Sequence, residues 1–409
     1  MGLTGRSSAL LTQILTYKMT SKLDTLISFI REVYNEPEGF IPLHEPRFIG
    51  NEKRYMNECI DSNFVSSVGE FVGRFEQMCA QYTGSKYAVA TMNGTSALHI
   101  ALQLAGVKTG DEVITQALTF IATANAINYA GAKPVFIDVD RETLGLSPEA
   151  LGNWLARNAE VQDSPYNNGK KQAINKLSGR RIAACVPMHT FGHPVKIEKI
   201  MEILDKYYIP LVEDAAESIG SYYKGKHTGT FGISGILSFN GNKVITSGGG
   251  GMILTDNEET ALLAKHLTTQ AKIPHAWEYR HDHIGYNYRL INIAAALGCA
   301  QMETLDQLLK MKRTVAGKYS SFFENSEYSF FSEPENCTSN YWLNTIIAPD
   351  RNTRDEFLEY TNNRGVMTRP AWEPMNQLPM FAHCQTDGLA NTEWLADRIV
   401  NIPSSAVLN

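Results

Sequence analysis

The chain has 409 residues, 43% hydrophobic and 20% charged, the composition of a globular protein with a large core and not of a disordered chain. Lys plus Arg is 37 against 43 for Asp plus Glu, a net charge of −6, and no Lys/Arg block occurs, which argues against nucleic acid as a partner. No run of about 18 apolar residues is present, so no membrane span is expected.

The six cysteines (Cys59, Cys79, Cys185, Cys299, Cys337 and Cys384) are scattered with no C-x-x-C pair, which predicts reduced thiols and a cytoplasmic protein. Arg6 stands where myristoylation requires Ser or Thr, and Ala9-Leu10-Leu11 is too short for a signal-peptide core. Residues 1–18 therefore read as an extension, or an upstream start, ahead of Met19. Leu23, Leu26, Ile27, Ile30 and Val33 recur at helical spacing and predict a helix over 19–35, closed by Asn35-Glu36-Pro37-Glu38-Gly39. Ile41-Pro42-Leu43-His44-Glu45-Pro46 predicts an extended entry, and Glu52–Ser62 and Phe71–Tyr82 predict helices.

Strands and helices then alternate: strand Tyr87–Thr91, helix Ser96–Leu104, strand Glu112–Thr115, helix Ala122–Tyr129, strand Pro134–Ile137, and a helix near Pro148–Ala156. The polar stretch Gln162–Lys176 reads as a surface loop. Strand Ile182–Met188, helix Ile197–Tyr207 and strands Pro210–Glu213, Gly235–Phe239 and Gly251–Leu254 continue the series. Such alternation predicts βαβ units and a large, mostly parallel sheet covered by helices. A long helical stretch over Ile293–Phe323, strand-like Tyr341–Ile347 and helix Arg354–Asn363 predict a smaller C-terminal α/β unit. The expected division is 1–38 (extension and helix), 39–300 (large domain) and 301–409 (small domain).

Three features carry chemistry. Asn93-Gly94-Thr95-Ser96 lies between a predicted strand and helix, where backbone N–H groups and hydroxyls suit a phosphate; taken alone it reads first as a plain helix cap. Asp214 ends the apolar run Ile209–Glu213, at the strand end where α/β proteins bind ligands, and a pyridinium nitrogen is a fitting partner for it. The alternative is a structural Asp capping the next turn. Lys243, in Ser238-Phe239-Asn240-Gly241-Asn242-Lys243, is followed by Gly248–Gly251; desolvation of a lysine favours the neutral amine that Schiff-base chemistry needs. A solvated surface lysine is its other reading. The glycine run is not a dinucleotide loop, because Met252–Thr255 reads as a strand. Together these are the parts that a pyridoxal phosphate enzyme supplies, with Phe120 either covering the cofactor ring or in the core.

With Asn93-Gly94-Thr95-Ser96-Ala97-Leu98, Leu118–Ala124, Glu213-Asp214-Ala215-Ala216-Glu217-Ser218, Ser238–Lys243 and Gly285-Tyr286-Asn287-Tyr288-Arg289-Leu290, the chain resembles the DegT-type sugar aminotransferases. These are pyridoxal phosphate enzymes of aspartate-aminotransferase fold, fold type I, acting on nucleotide-linked keto sugars. The leading helix, Phe40–Pro46 and Phe64-Val65-Ser66-Ser67-Val68-Gly69 look like the branch serving legionaminic-acid and bacillosamine pathways. The resemblance implies that Lys243 bonds the cofactor aldehyde and shuttles the proton, Asp214 pairs with the ring nitrogen, and Phe120 stacks on the ring. It implies that Thr95, Ser96 and Ser238 hold the phosphate, joined by Asn287 from a neighbouring subunit, hence a homodimer with composite sites. Glu217 departs from the Gln or His that many relatives place near the ring hydroxyl.

The resemblance further implies transfer of an amino group from L-glutamate to the C4 ketone of a nucleotide-linked 4-keto-6-deoxy-N-acetylhexosamine, UDP-linked in preference to GDP-linked. C3 amination and a perosamine-type reaction are the alternatives. A dehydratase of this fold carries histidine in place of the lysine, and Lys243 argues against it. A non-catalytic protein of the same fold is disfavoured by the intact cofactor positions. No metal is expected: His275, His281, Asp282 and His283 read as a loop near Pro274, Trp277 and Tyr279. His189 reads either as pocket wall or as core, and Arg369 either as a sugar-nucleotide contact or as a surface ion pair.

Overall fold

Segments rich in β-branched and small apolar residues build one layer, and amphipathic helices bury both of its faces. The structure, a computed structural model, describes residues 22–164, 169 and 171–408; the expected extension over 1–18 lies outside them. A helix over 22–34 (α1), α2 (Glu52–Asp61) and α3 (Glu70–Thr83) precede β1 (Tyr87–Thr91), α4 (Gly94–Leu104), β2 (Glu112–Gln116), α5 (Ile121–Tyr129), β3 (Lys133–Ile137) and α6 (Pro148–Asn158). The hairpin of β4 (Ala159–Asp163) and β5 (Lys171–Asn175), then β6 (Arg181–Val186), α7 (Ile197–Tyr207) and β7 (Val212–Asp214) follow. After the small hairpin of β8 (Tyr222–Tyr223) and β9 (Lys226–His227) come β10 (Ser234–Ser238), β11 (Gly251–Thr255), α8 (Glu258–Thr268) and α9 (Asn292–Phe323).

Strands β3, β2 and β6 run parallel, and bridges Cys185–Leu211 and Met188–Asp214 set β7 beside the carboxyl end of β6. β10 pairs parallel with β7, and β11 then lies antiparallel between β10 and β1. The reversal follows from the connection: residues 239–250 turn back without a crossover helix, so β11 returns beside its predecessor. A Cβ at Gly251 would stand 2.4 Å from the Asn93 carbonyl oxygen, so this strand end admits only glycine.

Alternation along β2 explains the two-sided core. Val113 packs with Ala97, Ile100 and Ile127 from α4 and α5, while Ile114 packs with Leu151, Trp154 and Ile200 from α6 and α7. Both are fully buried, and each such burial contributes about 1.5–3 kcal/mol.

The stretch Gln162–Lys176 is not a simple loop. β4 and β5 pair antiparallel from Ala159–Asn175 to Asp163–Lys171, and β5 pairs with β6. Ala173 and Asn175 are fully buried there, and Asn175 Nδ2 donates to Glu112 Oε2 at 2.6 Å. Two buried side chains in an otherwise polar edge hairpin are too faint an alternation to outweigh its composition.

α9 carries the chain to an antiparallel sheet of Ser329–Phe330, Asn344–Ile347, Ile399–Ile402 and Arg369–Pro370. The apolar stripe of α1 packs there, with Leu23, Leu26 and Ile30 in one cluster with Tyr319, Phe357 and Val400. Among the described residues no helix is long and apolar enough to cross a membrane.

Candidate active site

Strand ends converge on a cavity of about 370 Å³. Asn93 follows β1, and its Oδ1 accepts from the Ser96 N–H at 2.8 Å, capping α4. The cap reading and the anion reading therefore hold together. Gly94 and Thr95 line the cavity, and the first-turn N–H groups of a helix have no intrahelical partner. Ser238, at the end of β10, lies across from them, and a Cβ on Gly94 would come 2.9 Å from the Ser238 Cβ. Glycine is what lets this hydroxyl sit against the helix start. Ser96 is buried and supplies its N–H to the cap; it is not among the cavity-lining residues.

Asp214 ends β7 and lines the same cavity. Its Oδ2 accepts from Thr123 Oγ1 at 2.7 Å and its Oδ1 from the Ala216 N–H at 3.2 Å. Burial pushes its carboxyl above the usual range, and these two donors offset part of the rise. Both donors are neutral, so this buried acid is suited to a cationic partner.

Lys243 lies in the turn after β10, with its backbone N–H on the Asn240 carbonyl at 3.0 Å. Its Nζ donates to Glu217 Oε1 at 3.2 Å and sits 3.9 Å from the centroid of the Trp342 ring. Trp342 is held by its Nε1–H on the Asn242 carbonyl at 2.6 Å. The second Glu217 oxygen accepts from the Phe191 N–H at 2.9 Å. Phe191 has φ +56°, a left-handed conformation that costs a non-glycine residue about 1–2 kcal/mol. Burial pushes Glu217 up to about 7, while Lys243 and the Phe191 N–H pull it down and Asp214 adds to the rise.

Phe120 is half-exposed at the start of α5 and lines the cavity, 6.1 Å between centroids from Trp372, which lies 4.9 Å from Phe191. Trp342 and Trp372 complete an aromatic wall that sequence reasoning missed. The available signals were a tryptophan in the strand-like Tyr341–Ile347 segment and another beside Arg369.

Other expected residues lie elsewhere. Asn287 lines a second cavity with Ser67, Met92 and Arg289, and accepts from Arg289 Nη2 at 3.3 Å. His189 is core rather than pocket wall: it is fully buried, Nδ1 accepts from the Val195 N–H at 3.2 Å, and Nε2 therefore donates to Glu213 Oε1 at 3.1 Å. Arg369 is exposed at a sheet edge and donates to Asn362 Oδ1 and the Thr368 carbonyl, each at 3.0 Å. His275 and His281 are exposed on the hairpin of Lys272–Ile273 and Arg280–His281. His266, Asp282 and His283 cluster beside it; hydrogen bonds from His283 (3.0 Å) and His266 (2.6 Å) hold the Asp282 carboxyl down to about 2.

A sequence model described as the DegT/DnrJ/EryC1/StrS aminotransferase family matches residues 47–409. The chain is 37% identical over 366 residues to a GDP-perosamine synthase of Escherichia coli O157:H7, covering 89% of this chain and 93% of that protein. It is 38% identical over 342 residues to EpsN of Bacillus subtilis (strain 168), which carries a provisional assignment as a pyridoxal phosphate-dependent aminotransferase; 83% of this chain and 84% of EpsN are covered. Its fold is similar to that of Helicobacter pylori PseC, an aminotransferase of pseudoaminic acid biosynthesis, with TM-score 0.81 at 23% identity over 90% of this chain and 95% of PseC.

Proposed function

This chain belongs to the DegT/DnrJ/EryC1/StrS aminotransferase family as a pyridoxal phosphate-dependent sugar aminotransferase, and we propose that it aminates the C4 ketone of a nucleotide-linked 4-keto-6-deoxy sugar, with L-glutamate as donor. The observation that carries this reading is the convergence of Lys243, Asp214, Thr95 and Ser238 on one cavity. These residues fit the cofactor: a glycine-spaced helix start for a phosphate, a buried acid with only neutral donors, and an amine in the same space.

When bound, pyridoxal phosphate supplies an electron sink for negative charge at the substrate carbon that carries nitrogen. Lys243 would attach the cofactor through Nζ, and the same nitrogen would be placed to hold and move a proton in the cavity. Asp214 would accept a hydrogen bond from a protonated ring nitrogen and favour the proton there. The helix start at Gly94 and Thr95, with Ser238 and Ser96 in the Asn93-capped turn, would hold the phosphate. Phe120 covers the ring face. Asn287 joins the phosphate from a second copy, so the working unit is a cytoplasmic homodimer, with a cofactor-binding unit over 39–300 and a small unit over 301–409.

The resemblance of the N-terminal motifs favours a UDP-linked N-acetylhexosamine. A GDP-linked sugar is the second reading, supported by the identity to GDP-perosamine synthases of Escherichia coli O157:H7 and Vibrio cholerae, 37% and 34%. Incubation with L-glutamate and a panel of UDP- and GDP-linked 4-keto-6-deoxy sugars, with the amine located by NMR, tests both. We expect amination at C4 and an inert free sugar, because binding of the remote nucleotide diphosphate helps hold the ketone in line. Amination at C3, or equal turnover of a free keto sugar, would sink the reading.

A further inference from the structure

Glu217 is a buried acid whose one cationic contact among the described residues is Lys243. Its side chain is 1% exposed and that of Lys243 is 12% exposed, with 3.2 Å between Oε1 and Nζ. The charged groups that act on it are Lys243, from the turn after β10, and Asp214, from the end of β7; the 190–192 turn offers it a backbone N–H. Burial raises the carboxyl and the lysine charge is the first influence pulling it back. On its other side Lys243 faces the Trp342 ring, which also favours a cation. Ammonium and carboxylate thus form a neutral pair inside the cavity. That balance ends when the lysine nitrogen is bonded to the cofactor.

We propose that Glu217 stores the proton that keeps this pocket neutral: it is a carboxylate while Lys243 is a free ammonium and a carboxylic acid once Lys243 is joined to the cofactor. The inference rests on the reading of Lys243 as the attachment point. In joining, the lysine nitrogen first gives up a proton, then forms a double bond to the aldehyde carbon as the carbon–oxygen bond breaks. The oxygen leaves as water with two of the three ammonium hydrogens. The positive charge stays on nitrogen, and the ionised ring hydroxyl of the cofactor neutralises it. Glu217 is then a buried anion without a counter-charge, and it takes one proton from solvent. No electrons change hands. A glutamine in its place would keep the Phe191 contact yet have no proton to take.

The experiment is a titration of the full-length apoenzyme with pyridoxal phosphate in unbuffered salt, with a pH-stat at about pH 8 counting protons. Wild type is expected to take up about one proton per site more than Glu217→Gln. Infrared difference spectra give a second readout: loading adds a protonated-carboxyl stretch to wild type that Glu217→Gln lacks. Equal proton uptake in the two proteins, or no such band in wild type, overturns the proposal, and the wild-type spectrum decides alone if the variant does not fold. Borohydride reduction and peptide mapping of the loaded wild type separate the two possible failures. A pyridoxyl label on a lysine other than Lys243 sinks the attachment reading, whereas a label on Lys243 without a proton difference sinks only the role of Glu217.

Discussion

Glu213 and Asp214 are neighbouring buried carboxylates at the end of β7, and their surroundings push them in opposite directions. Burial raises both, but at Glu213 the His189 hydrogen bond and the Gly229 and Gly232 N–H groups outweigh it, and the carboxyl ends below its usual range. Asp214 has only Thr123 and Ala216 as donors and stays raised. The alternating side chains of one strand thus give one acid to the core and present the other to the cavity. Asp214→Asn keeps the size and a hydrogen-bond acceptor but removes the charge proposed to hold a proton on the ring nitrogen. The proposed phosphate site at Gly94, Thr95 and Ser238 is untouched, so the cofactor should still bind. Its half-reaction with glutamate should slow by roughly 100-fold or more, on the scale of a lost proton-transfer partner. Stopped-flow spectra of the loaded variant check this, and a wild-type rate would remove Asp214 from its role.

The elements that position the site were legible where hydrophobic period and punctuation agreed. Tyr87–Thr91, Ile197–Tyr207 and the long helix ending at Phe323 stand within a residue or so of their expected bounds. Asp214 was visible because it ends an apolar run, and Lys243 because it follows the apolar Gly235-Ile236-Leu237 segment and precedes the Gly248–Gly251 run. Trp342 was not, because it reaches the cavity from about 100 residues beyond Lys243 and nothing local marks which face of its segment meets the large sheet. His193 was also illegible as a buried group. It follows the Thr190–Gly192 turn and lies between the rings of Phe331 and Tyr341, at 4.8 and 5.5 Å, with both ring nitrogens unpartnered among the described residues. Burial lowers it to about 3, with Glu333 pulling slightly the other way. Because the folded value is depressed, the unfolded chain binds the proton more readily, and stability is lost as pH falls below the unfolded value near 6.5. At pH 5 this residue alone should cost about 2 kcal/mol relative to pH 7. His193→Phe should therefore lose less melting temperature than wild type between pH 7 and pH 5. Parallel slopes for the two proteins would show that His193 does not carry the effect.

At the scale of the whole molecule, Asn287 poses a spatial problem that the proposed second copy would resolve. It lines the cavity with Ser67, Met92 and Arg289, apart from the cavity of Lys243 and Asp214. Around it the chain leaves apolar side chains in solvent: Met92 is 44% and Ile291 48% exposed, and Val65 and Val68 nearby in the 64–69 segment are 44% and 66% exposed. Exposed apolar residues gathered beside a polar site mark an interaction surface, and a two-fold contact between identical chains buries the same patch on both. If Asn287 serves the partner's site, two inactive variants should complement each other. In a dimer of one Lys243→Ala chain and one Asn287→Ala chain, one site carries both lesions and the other carries neither. Random reassortment makes half of the dimers mixed with one intact site in two, so the mixture should recover about one quarter of wild-type activity. Glutamate-dependent turnover measured before and after subunit exchange, with exchange verified by mass spectrometry, reads this directly. If exchange is complete and turnover stays at the level of the parents, Asn287 acts within its own chain or not at all, and the composite site is wrong.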